Sequence, residues 1–274
     1  MIHKATQRAL LLPAAAALIL SSSAAMASDS NNDRNDKSAP GGVCAGLPSH
    51  AALENALKSA RGQANGGFNL DMWGTVVNRD GIVCAVAFTG DNRGSQWPGS
   101  RVISAQKANT ANAFSLPALA LSTANLWAAV QPGGSLYGLQ HSNPVDTETA
   151  YRGPAQDFGE SDDPMVGRRI GGVNVFGGGL ALYNSRHQLI GAVGVSGDTS
   201  CADHNIAWRT RNTLNLDYVP GGTSRAQDDN INYVGRQDPG TLANDFTHPI
   251  CKIAGNDGVS QISEHLPAVK PRQP

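Results

Sequence analysis

The side chains best suited to chemistry gather at a few places in the chain. His204 stands beside Asp203, just downstream of Gly194-Val195-Ser196-Gly197. A neutral imidazole ligates transition metals, haem iron among them. If these residues open a helix, its free amide groups would also receive an anion there. Alternatively, Asp203 and His204 simply cap and decorate the helix, since Ser200 and Asp203 stand at capping-box spacing. His141, next to Ser142 and Asn143, is a second candidate ligand or else a solvated loop histidine. Lys107 and Arg101 would pair with carboxylates of a ligand, although lone cations on an exposed helix face usually only solvate it. Glu160, Asp162 and Asp163 form an acidic cluster that suits either Ca²⁺ or water.

Nucleophilic chemistry has less to build on. Ser196 lies in Gly-Val-Ser-Gly-Asp, whereas a hydrolase elbow needs Gly-x-Ser-x-Gly, so it reads as a strand-end turn residue. The chain carries no phosphate loop, no His-Glu-x-x-His and no Gly-x-Gly-x-x-Gly after a strand.

The four cysteines, Cys44, Cys84, Cys201 and Cys251, are dispersed, and none lies in a Cys-x-x-Cys pair. In an oxidising compartment they read as two disulfides. Three pairings are possible. Preference falls on Cys44–Cys84 with Cys201–Cys251, the second of which would tie down a polar tail. The amino terminus agrees with such a compartment. Lys4 and Arg8 precede an apolar run from Ala9 to Leu20, and Ala25-Met26-Ala27 fits a signal-peptidase site. Residues 1–27 are therefore expected to be a signal peptide, residues 28–43 a polar leader, and the protein to be exported to the periplasm or beyond. Loss of Lys4 and Arg8 takes the net charge from −1 to −3. Without clustered cations, nucleic acid is excluded as a partner. After Leu20 no stretch is long and apolar enough to insert into a membrane.

Periodicity gives the secondary structure that carries these groups. Leu53, Leu57 and Ala60 recur at helical spacing within residues 47–63, with Ser49 as N-cap. Residues 72–77 and 82–88 are β-rich runs around Asp80-Gly81, a hairpin signal. Helices are expected at 100–113 and 119–130. Residues 131–169 lack a sustained period, and so long a loop is the first place to seek a ligand. A second hairpin spans 173–183 and 189–195, crowded with glycines, which in strands mark a bulge or a close approach by backbone or ligand. A last helix covers 201–216. Strands arriving as hairpins predict an antiparallel sheet with helices packed on it, an α+β fold. The expected domain is 44–216, with 217–274 a polar extension held by a disulfide.

Two stretches, Gly171–Gly197 ending in Gly-Val-Ser-Gly, and Ser104–Ala111 (SAQKANTA), together with this order of elements, resemble the GlcG/HbpS-like haem-binding family over roughly residues 47–216. Asn174 stands where that family often has proline, and Cys201-Ala202-Asp203-His204 replaces its usual acidic run. The resemblance implies a profilin-like fold, self-association into homo-oligomers, and binding of haem or another tetrapyrrole. On that basis His204, His141, Lys107 and Arg101 are the haem-binding candidates. Gly177, Gly178, Gly179, Gly194, Ser196 and Gly197 form the hairpin expected to face the ligand. The implied role is a carrier, store or sensor partner. Two other functions fit the residues: an enzyme or enzyme subunit acting on a small molecule in the 131–170 loop, and a self-associating module without a small ligand.

Overall fold

The computed structural model describes residues 42–233, 243–252 and 258–270. The expected signal peptide and most of the leader lie outside the described residues. The elements are α1 (His50–Arg61), β1 (Trp73–Asn78), β2 (Val83–Phe88), α2 (Ser100–Phe114), the short helices α3 (Leu139–Ser142) and α4 (Thr147–Ala150), then β3 (Gly179–Tyr183), β4 (Leu189–Ser196), α5 (Ser200–Thr213) and α6 (Val259–Glu264). The four strands form one antiparallel sheet in the order β2-β1-β4-β3. The two hairpins thus join through their outgoing and returning strands, β1 against β4.

Both faces of the sheet are covered, which explains why β2 is apolar nearly throughout. Strand alternation sends Val76, Val193, Val195, Leu180 and Leu182 to one face, where Leu53 and Leu57 of α1 and Ile206 and Trp208 of α5 meet them. On the other face Val77, Val86 and Ala192 pack against Val102, Ala105, Ala108 and Ala111 of α2. Small residues let α2 lie close to the strands. A β-carbon on Gly194 would run into the Ser104 carbonyl and the Ala108 amide, so glycine there is what permits the contact.

Several expected elements take a different form. Residues 119–130 make two short 3₁₀ turns, Thr123–Leu126 and Ala128–Val130, instead of one helix. Ser122 and Asn125 close a capping box there, and Asn125 donates to the Asn230 carbonyl, so tertiary bonds replace helical ones. The third strand begins at Gly179 rather than 173, because Gly178 turns the chain through a φ of 120°. Thr199, not Ser200, caps α5. The tail holds by more than a disulfide: Tyr218, Val219, Ile231 and Tyr233 are buried, and Asp229 forms a two-pronged ion pair with Arg211 of α5 at 2.6 and 2.8 Å. The disulfides are Cys44–Cys84 and Cys201–Cys251.

Candidate binding site

One apolar cleft, about 500 Å³ in volume, opens beside the end of the sheet. That size suits a small organic ligand or cofactor. Its residues come from four places. Trp73 begins β1, Pro98, Gly99, Arg101 and Val102 surround the start of α2, and Tyr151, Ala155 and Phe158 come from the long loop. Asn92, Arg93 and Gly94 complete the rim. The segment singled out for its length therefore supplies one wall.

Local bonds shape each wall. Trp73 lies opposite Phe88 in the β1–β2 register, and their rings meet edge to face at 5.4 Å. Its indole N–H donates to the Trp97 carbonyl at 3.1 Å, fixing the connection into α2. Gly159, at a φ of 84°, settles on the Phe88 and Trp73 rings where a β-carbon would collide with both. The His50 ring donates from Nε2 to the Gly159 carbonyl at 2.8 Å. Tyr151 remains largely exposed at the mouth, as does Arg93.

Arg101 ties the loop to α2. Its guanidinium bonds both Asp163 oxygens at 2.8 and 2.5 Å, donates to the Ala150 carbonyl at 2.8 Å, and sits 3.7 Å over the Phe158 ring. Asp163 also accepts the Gly159 and Met165 amides. This carboxylate is fully buried, whereas Glu160 and Asp162 are exposed, so the acidic cluster is divided. The expected exposed face for Arg101 and Lys107 is corrected: both are buried and paired.

Lys107 reaches Asp203 at 2.7 Å and the Val195 carbonyl at 3.1 Å, joining α2, β4 and α5 inside the molecule. Burial pushes the Asp203 carboxyl up to about 6, while Lys107 and the Asp198 amide pull it back. His204 is sealed as well. Its Nε2 accepts the Ile231 amide at 3.2 Å and lies 3.1 Å from the Asn230 side chain, and burial pushes the imidazole down to about 4. His141 is exposed on α3 and does not line the cleft.

The glycine hairpin turns toward protein. A β-carbon on Gly177, Gly178, Gly179 or Gly197 would meet, respectively, the carbonyl of Ser200, Val195, Lys107 or Asp71. Ser196 donates to Ser100 across the same interface at 3.3 Å. The space expected to face a ligand is filled by helix and strand backbone, the other use of strand glycine. That Trp73, Phe158 and Tyr151 line the cleft is not legible in the sequence, because their types suit a core equally well; the Pro/Gly-rich loop around Tyr151 is the one usable signal.

A family model described as haem degrading protein HbpS-like matches residues 49–211. Among solved structures, a PduOC:heme complex is 23% identical, with 61% of this chain and 91% of that one covered and a TM-score of 0.42. Klebsiella pneumoniae protein ORFY, assigned to DUF336, is 26% identical over 61% of this chain and 90% of its own, at a TM-score of 0.41. HbpS is 15% identical over 60% and 86%, at 0.37. No curated protein matches. With more than half its length matched, the chain belongs to the HbpS-like family.

Proposed function

We propose that this HbpS-like protein binds haem, or a closely related tetrapyrrole, in the aromatic cleft, and that it is exported to act as a carrier, store or sensor partner. The observation that carries the proposal is the cleft itself, apolar and aromatic on its walls with a cation at its mouth. Pro98 and the half-buried Phe158 offer a surface for a flat macrocycle above a floor of buried Trp73 and Val102, and Tyr151 covers it from the loop side. Arg93 offers a guanidinium to a propionate, the pairing guanidinium geometry favours. Arg101 belongs to the scaffold, because Asp163 already occupies it. His204, Lys107 and the hairpin glycines serve the fold on this view. Haem would bring its own iron chemistry; the chain's residues bind and orient it and exclude water from one face.

Two disulfides support export, and among the described residues no helix is long and apolar enough to cross a membrane. Self-association, which the family likeness implies, would be detected by light scattering of the purified protein.

The test is a hemin titration of the purified protein followed in the Soret region. The expected result is a saturable red-shifted band that weakens severalfold in Tyr151→Ala and in Arg93→Ala, and persists in His204→Gln. The absence of any saturable change would overturn the haem reading. A band lost in His204→Gln but unmoved by Tyr151→Ala would overturn the assignment of the cleft.

A further inference from the structure

A second constellation lies away from the cleft, where the tail meets α5. Cys201 sits in the first turn of α5, and His248 and Cys251 return beside it. Both sulfurs and one ring nitrogen of His248 lie within 4.8 Å of one another. His248 is wholly buried. Its Nδ1 donates to the Pro249 carbonyl at 2.7 Å, which leaves Nε2 as a buried acceptor without a partner. An unmatched buried acceptor is costly, and a native structure that keeps one calls for a reason. Ser200 Oγ stands 3.5 Å from the Cys251 sulfur, adding a fourth heteroatom at the same spot.

We propose that reduction of the Cys201–Cys251 disulfide by a dithiol converts this cluster into a Cys₂His site for zinc. The dithiol supplies two electrons and two protons and is itself oxidised to a disulfide, leaving Cys201 and Cys251 as thiols. Zinc then displaces both thiol protons and takes two thiolates and the free imidazole nitrogen, with water or Ser200 in the fourth position. Zinc–sulfur bonds of ~2.3 Å in a tetrahedral arrangement put two sulfurs roughly 3.8 Å apart. The 6.1 Å between the two α-carbons asks only side-chain rotation to reach that spacing. Soft thiolate and imidazole donors select zinc over magnesium or calcium. The second coordination partner of a ligating histidine is already in place, since the Pro249 carbonyl holds Nδ1–H and orients the ring. Oxidised, the tail is fastened to α5 covalently; reduced, zinc refastens the same two points.

The experiment uses the purified protein reduced with a phosphine and titrated with Co²⁺ as the spectroscopic stand-in. One equivalent should give thiolate-to-cobalt charge-transfer absorption that Zn²⁺ abolishes, and the oxidised protein should give none. Zinc should protect Cys201 and Cys251 from alkylation, read by mass spectrometry, and leave Cys44 and Cys84 reactive. His248→Gln should bind at least ~10-fold more weakly, since even outer-shell changes cost that much. If that variant fails to fold, zinc X-ray absorption of the wild type should count two sulfurs with an imidazole nitrogen. No binding after reduction, equal binding before it, protection of Cys44 and Cys84 instead, or a shell without imidazole would each overturn the proposal.

Discussion

Arg101 in the first turn of α2 and Asp163 in the long loop, 62 residues apart in sequence, form a fully buried two-pronged ion pair beneath the aromatic cleft. The pair is costly to desolvate, and its geometry offsets that cost only while both partners remain. Asp163→Ala leaves the guanidinium buried and uncompensated, and should destabilise the fold by about 3–5 kcal/mol. It also frees the 150–165 wall, so hemin affinity should fall with it. Urea denaturation and the Soret titration measure the two effects; normal stability in the variant would refute the role given to this pair.

Two glycines at the borders of α2 give opposite expectations. Gly194→Ala forces a methyl group into the Ser104 carbonyl and the Ala108 amide, backbone that cannot step aside cheaply. A loss of about 1–3 kcal/mol or more is expected. Gly99 faces open space in a right-handed helical conformation, so Gly99→Ala should be neutral or stabilise by up to ~1 kcal/mol. Melting temperatures of the two variants, measured side by side, check the contrast.

Acid should weaken the protein below pH 6.5. Burial holds both His204 and His248 neutral down to about 4, against an ordinary value of 6.5. Between those values the unfolded chain takes up protons that the folded chain refuses. Stability is therefore full above pH 6.5 and is lost as pH falls toward 4, by up to ~1.4 kcal/mol per pH unit for each histidine. Asp203 works in the opposite sense, because its raised carboxyl, at about 6, keeps a proton in the fold that the unfolded chain has released. Burial raises Asp228 as well, so below pH 6 the net slope should be well under that of two histidines. Urea midpoints across pH 4.5–7.5 would show it, and His204→Gln should flatten the curve. A midpoint that rises on acidification would contradict the burial of these rings.

The two disulfides close stretches of similar length, 40 and 50 residues. On the chain-entropy account each contributes ~4 kcal/mol, with a difference between them of only ~0.2. Paired serine replacements at Cys44 and Cys84, or at Cys201 and Cys251, should cost nearly the same in denaturant midpoint. A much larger loss for the second pair would show that the tail's own contacts, Arg211–Asp229 among them, depend on the covalent tie.

Local signals were strong where one residue's preference suffices. Ser49 capping α1, Asp80-Gly81 turning the first hairpin, and period-two and period-3.6 apolar spacing marked out α1, α2, α5, both hairpins and an antiparallel sheet. The dispersed cysteines determined disulfides as a class, and the Gly-Val-Ser-Gly and Lys-Ala-Asn-Thr-Ala stretches carried the family likeness. What lay beyond reach was partner choice across the chain. Nothing near Lys107 in sequence says that Asp203, 96 residues on, will bury it, and nothing near Arg101 announces Asp163. A glycine that admits a ligand and one that admits another backbone look alike until the neighbouring helix is placed. The main helices, the two hairpins, their order and the family likeness were thus legible in the sequence, because these follow from local conformational preference and patterning, whereas the 119–130 segment, held by tertiary bonds, was not. Only packing settles which charges vanish into the interior, which histidines are sealed, and that Tyr151 and Phe158 stand open over a buried Trp73, because burial and long-range pairing are properties of the folded chain.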